Sequence, residues 1–215
     1  MAARRTIARV LLLVATLPLL MAAAPVPARS EEMRARVWVS PANLIEGESA
    51  RVEGRVRDAR LGSVAIIQQR ASGRWKTIAR TSVQQGRFGI GFVPKQTGPG
   101  VVRALIVHRR ERVETFGIYT LFRRTEATWY GPGFFGNFTA CGQRFDENLV
   151  GVAHRSLPCG TPVTFFYGGT LLTVPVVDRG PYGTADWDLT AETARILGFT
   201  GRQTLGVLIA SEPGE

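Results

Sequence analysis

Residues 127–199 read ATWYGPGFFGNFTACGQRFDENLVGVAHRSLPCGTPVTFFYGGTLLTVPVVDRGPYGTADWDLTAETARILGF. Within them the apolar run of residues 171–177 stops at Asp178-Arg179-Gly180-Pro181, so a carboxylate stands where a buried strand gives way to a turn. A shorter apolar run, residues 149–152, ends at Ala153-His154-Arg155 and closes with Ser156-Leu157-Pro158-Cys159-Gly160. Two titratable groups therefore terminate two predicted strands, the kind of position from which side chains line clefts.

The remainder of this stretch predicts a mostly β domain with one short helix. Residues 162–167 and 170–177 form strands around Gly168-Gly169, a two-residue hairpin turn that needs positive φ. Asp188 or Thr190 caps a helix that runs to Leu197 and stops at Gly198. Residues 144–148 predict a short helical turn, and residues 205–210 a last strand.

Cys141 and Cys159 are the only cysteines, an even count that favours a disulfide in an exported chain. Closing that loop stabilises by about 3 kcal/mol and pins the segment carrying His154. A metal site is not expected, because only one histidine is near in sequence.

Toward the N-terminus, residues 35–122 carry seven short alternating segments separated by turn formers such as Ser72-Gly73, Gln85-Gly86 and Thr97-Gly98-Pro99-Gly100. With Trp75 in mid-domain, this predicts an immunoglobulin-like β-sandwich without a cysteine pair. Nothing in it reads as catalytic, and His108 falls in a charged hairpin turn. A role as spacer or docking module is expected. Residues 123–126 are too short and too charged for a flexible tether, so the domains should touch.

Residues 1–28 have the basic start, apolar middle and small-residue end of a secretory signal, with no cysteine near the cleavage site for a lipid anchor. The apolar run is shorter than the ~20 residues a bilayer span needs. The reading is an exported protein, periplasmic or in the cell wall, without a stable membrane anchor, and monomeric. Without the leader's arginines the formal charge of the 215-residue chain falls from +10 to +7, and Lys76 and Lys95 are the only lysines. An arginine-rich surface suits polyanions. No nucleic-acid-binding signature is present, so anionic wall polymers are the expected partners.

The spaced set WYGPGFFG, TACGQRFD, AHRSLPCGT, VPVVDRGPY and DLTAETARILGF resembles the rare lipoprotein A (RlpA)-like double-psi β-barrel family, over roughly ninety residues. That family includes septal-ring lytic transglycosylases acting on peptidoglycan, and its barrel is similar to those of expansins and of membrane-bound lytic transglycosylase A. The resemblance implies residues 126–212 as the barrel, peptidoglycan glycan strands as substrate and no cofactor. It makes Asp178 the catalytic acid, protonating the bridging oxygen, with a pKa raised by burial among Tyr182 and Trp187 and with Arg179 turned outward. His154 orients Asp178 or contacts sugar. Arg155 reaches an acidic peptide stem, while Tyr130, Tyr182 and Trp187 contact the glycan. The chain departs from the pattern at Gln143, where transglycosylase members commonly carry glutamate. A hydrolase with paired carboxylates would lose a partner there, but a lytic transglycosylase uses the sugar's own 6-hydroxyl, so one aspartate can serve as acid and then base. Gln143 remains able to bond an N-acetyl group. The alternative is a non-catalytic, expansin-like module that binds wall polysaccharide.

Overall fold

The structure is a computed structural model that describes residues 32–209; the predicted leader lies outside the described residues. Among the described residues, thirteen strands and one α-helix build two adjoining β domains around two separate apolar clusters.

The first domain is an immunoglobulin-like sandwich. One sheet holds β1 (Arg34–Ser40), β3 (Ala50–Arg57) and β6 (Arg87–Phe92), all antiparallel. The other runs β5 (Arg74–Ser82), β4 (Val64–Ala71), β7 (Gly98–His108) and β8 (Glu111–Tyr130), with β2 (Asn43–Ile45) parallel to β8 at its edge. Strict alternation in β3, buried at Val52 and Val56 and exposed at Arg51, Arg55 and Arg57, places apolar side chains between the sheets. One expectation needs correction. Thr97-Gly98-Pro99-Gly100 is not a turn, since Gly98 to Gly100 already pair with β8. Trp75 sits half-buried on an outer sheet face, with the Arg103 guanidinium 4.3 Å above its ring and Phe116 beside it. Its flat ring covers a charged stem instead of filling the sandwich.

Residues 123–126, read as a connection, lie in the middle of β8, which passes unbroken from the sandwich into the second domain. The domains also pack together. Phe122 stacks on Phe166 at 5.3 Å, and the Arg124 guanidinium donates to the Glu46 carbonyl. Gly206 lies against this contact so closely that a Cβ there would come within 2.6 Å of Phe122 Cβ.

The second domain closes on itself. From β8 the order is β13 (Gln203–Ile209), β10 (Pro162–Tyr167), β11 (Thr170–Asp178), β9 (Val152–Ala153) and β12 (Trp187–Thr190), which returns to pair with β8. The β8–β12 and β9–β11 pairs are parallel, the rest antiparallel, as in a double-psi barrel. Gly168 and Gly169 take φ of 56° and 84° in the β10–β11 hairpin, as the sequence predicts. Thr190 caps α1 (Ala191–Leu197) by accepting from the Thr193 amide, and Gly198 ends it in the left-handed region. Asp188 is therefore free of capping and belongs to β12. Residues 144–148 form no helix, and only Val152 of the 149–152 run enters a strand. The polar Arg144, Asp146, Glu147 and Asn148 gain nothing from helical burial, and a local Asp146–Asn148 hydrogen bond competes.

Candidate active site

Four residues on adjacent strands form one lateral row: Thr128 on β8, Asp188 on β12, Ala153 on β9 and Asp178 at the end of β11. All four line a groove of about 390 Å³, together with Tyr130, Phe134 and the loop that begins at Arg179. Ala153 pairs with both aspartates, so its methyl floors the space between two carboxyl groups whose backbones stand about 10 Å apart, two strand spacings.

The two carboxyls are held differently. Asp178 Oδ1 accepts the Ala140 and Arg179 amides, each at 2.8 Å, and Oδ2 accepts the Tyr130 hydroxyl at 3.2 Å. Three donors thus converge on this one side chain, whose oxygens act as acceptors. Asp188 has one donor, Thr128 Oγ1 at 2.8 Å, and its pKa is raised by burial, opposed by that hydrogen bond, with the charge of Asp178 adding to the rise. Tyr130 is pushed upward too, chiefly by burial and then by Asp178, so its hydroxyl stays a donor. Its ring is fixed by stacking on Phe145 at 4.7 Å.

The disulfide joins Cys141 to Cys159, with Cα atoms 5.7 Å apart. It ties the loop that supplies the Ala140 amide to the loop that follows His154.

His154 does not reach the Asp178 carboxylate. Its backbone amide donates to the Asp178 carbonyl, while Nδ1 accepts the amides of Ser156 and Leu157 at 3.2 and 3.0 Å. The ring lies 4.5 Å from Trp187, and burial, then Arg155, Arg123 and Arg179, lower its pKa. A neutral imidazole thus shapes the loop. Trp187 is wholly buried against Phe165 and cannot face a glycan. Packing of a β12 residue on the inner side of the barrel decides this, since its neighbour Asp188 points the other way.

Arg155 donates to the carbonyls of Gly183 and Ala185, fastening the loop that carries Tyr182 in place of meeting a peptide stem. Arg202 bonds Glu126 and Thr184 on the same side. Tyr182 is 86% exposed at the groove margin. Gln143 is exposed outside the groove lining, and its side chain makes no hydrogen bond among the described residues. Arg179 turns its guanidinium from the Asp178 carboxylate toward the His154 carbonyl and Cys159 Sγ.

Of the residues singled out in the sequence, the groove therefore gathers Asp178, Tyr130 and Tyr182 and leaves out His154, Gln143, Arg155 and Trp187. Asp188 and Thr128 are the additions. Alternation along WDLT, with Trp187 and Leu189 inward and Asp188 outward, was the available signal. No group of three or more potential metal ligands occurs among the described residues.

Residues 123–209 match the family model described as lytic transglycolase. The probable endolytic peptidoglycan transglycosylase RlpA of Synechocystis sp. is 44% identical over 94 residues, covering 41% of this chain and 29% of that one. The endolytic peptidoglycan transglycosylase RlpA of Neisseria meningitidis is 38% identical over 86 residues, covering 39% and 36%. The chain thus spans well under half the length of either relative. Among solved structures, the M1 domain from titin covers 42% of this chain and 93% of its own at 12% identity, with a TM-score of 0.30. The barrel domain is RlpA-like.

Proposed function

We propose that the RlpA-like barrel is a catalytic domain that cleaves peptidoglycan glycan strands by lytic transglycosylation, in an exported protein of the cell envelope. The observation that carries this reading is the Asp178–Asp188 pair. Burial raises the pKa of Asp188, which assigns it as proton donor, while the three hydrogen-bond donors gathered on Asp178 assign that carboxyl as acceptor.

The acid role expected of Asp178 passes to Asp188. Asp188, the carboxyl whose pKa burial raises, gives its proton to the oxygen between N-acetylmuramic acid and N-acetylglucosamine as the C1–O bond breaks. The Asp178 carboxylate, held by Ala140, Arg179 and Tyr130, faces the positive charge that develops on the ring. It then takes the proton of the sugar's 6-hydroxyl as that oxygen closes on C1. The products are a 1,6-anhydro end and a free 4-hydroxyl, with no water consumed. Delivery within one sugar removes the entropic cost of capturing a second reactant. Tyr130, Phe134 and Tyr182 present aromatic surface to pyranose faces. Gln143 takes no part in proton transfer, so its departure from glutamate does not disable this scheme.

Digestion of purified sacculi followed by mass spectrometry tests the proposal. Anhydro-muropeptides should appear with the wild-type chain and vanish with Asp178→Asn and with Asp188→Asn. Binding to sacculi with no soluble anhydro product from the wild type would replace it with the wall-binding alternative.

A further inference from the structure

The outer face of the β1-β3-β6 sheet carries a second feature, remote from the carboxylates. Arg34, Arg36, Arg55, Arg57 and Arg87 line a groove of about 670 Å³, with no carboxylate in its lining. The register sets them directly opposite one another: Arg34 pairs with Arg57, and Arg36 with Arg55, which in turn pairs with Arg87. Three guanidinium-bearing residues thus cross three strands in one row, and two more form the next row. None of the five makes an ion pair with the described residues, although Arg51, Arg60, Arg103, Arg195 and Arg202 all do.

Like charges facing each other directly across strands destabilise a sheet. A solvated arginine face has no reason to stack them in register. The β5–β6 turn adds to the concentration, because Gln85 and Gly86 take positive φ and the Gly86 carbonyl accepts the Val56 amide of β3, which brings Arg87 against Arg55.

We propose that this groove binds a linear phosphate polymer. The backbones that carry neighbouring forks stand about 4.8 Å apart across the sheet and about 7 Å apart along it. Two forks that approach one anion from different directions are both met by a tetrahedral phosphate, whereas a planar carboxylate holds its two oxygens in one plane. Several phosphates on one chain engage both rows together. A nucleic acid is disfavoured because no aromatic side chain lines the groove to stack a base. Trp38 lies one row beyond, but its indole N–H is committed to Glu53, whose carboxylate repels a phosphate backbone. The binding inference stands on the sandwich alone; only the placing of the polymer in the cell envelope rests on the function proposed for the barrel.

The test uses the full chain and fluorescently labelled inorganic polyphosphate, with binding followed by anisotropy across a salt series. The triple variant Arg36→Gln, Arg55→Gln, Arg87→Gln should bind at least tenfold more weakly. Its slope of log K against log salt should fall by about 2, at roughly 0.7 per lost phosphate contact. A control with equal charge loss, Arg74→Gln, Arg110→Gln, Arg112→Gln, should bind like the wild type. Polyphosphate should raise the melting temperature of the wild type and not that of the triple variant, which must itself melt no lower. Equal loss in both variants would mean diffuse charge attraction and overturn the site. Equal or tighter binding of poly-glutamate, or of a single-stranded oligonucleotide, would overturn the ligand class. Release of anhydro-muropeptides by the triple variant from sacculi freed of phosphate polymers should match the wild type, so failure here is distinct from failure of the catalytic reading.

Discussion

Asp178 and Asp188 reach the same groove from strands on either side of Ala153, and only Asp188 lacks backbone donors. The acidity of Asp188 should therefore be visible in stability as well as in activity. Its pKa is raised in the fold, so its contribution to stability is complete below the ordinary carboxyl value of about 3.9 and is lost as pH rises through the raised value. Asp188→Asn keeps an acceptor for Thr128 and removes that loss. The variant should melt above the wild type at pH 7, with the gap closing near pH 3.5, while anhydro-muropeptide release falls by at least about a hundredfold. A variant that melts below the wild type by the same margin at both pH values would remove Asp188 as the proton donor.

Tyr130→Phe keeps the ring on Phe145 and deletes one donor to Asp178. A hydrogen bond to a charged group contributes about 1.5–3 kcal/mol. Turnover should fall roughly tenfold or more, and substrate affinity should change little. Steady-state kinetics on soluble glycan strands separates the two; a change confined to KM would reassign Tyr130 to binding.

His154 has a lowered pKa, and its Nδ1 must remain unprotonated to accept two amides. The associated stability is present above the unfolded value of about 6.5 and is lost as pH falls through the folded value. Thermal melts from pH 7.5 to pH 4.5 should show this loss in the wild type and a flatter profile in His154→Asn. Activity of that variant at pH 7 should survive in part, since the imidazole does not touch the carboxylates.

Removing the disulfide with Cys141→Ser and Cys159→Ser should lower stability by about 3 kcal/mol. The loop that supplies the Ala140 amide should loosen with it. Amide hydrogen exchange at Ala140 should then accelerate more than at Val163, which lies in the apolar core of the barrel.

Much of this fold was legible because local signals agreed with tertiary structure. Gly168-Gly169 supplied the positive φ that a two-residue hairpin needs, and Thr190 with Gly198 bracketed the helix. The disulfide followed from having two cysteines to pair. The candidate site was half legible. Asp178 announced itself at a strand end, but Asp188 was disguised as a helix cap, since a capping residue and a strand residue look alike three positions before a helix. Which face of β12 lies inside the barrel depends on parallel pairing with β8, a contact of about 60 residues' separation that no local pattern encodes. The same pairing turned Trp187 inward. The polar atoms of Arg155 and His154 found partners in backbone carbonyls and amides, and such partners leave no trace in side-chain spacing.

The uninterrupted passage of β8 through both domains, sealed where Gly206 lies on Phe122, has a mechanical meaning. The sandwich is a handle without a wrist: on the proposed function, whatever it gripped would set the angle at which a glycan meets the barrel. Force applied to one end is borne by a single backbone and transmitted to the other without an intervening joint.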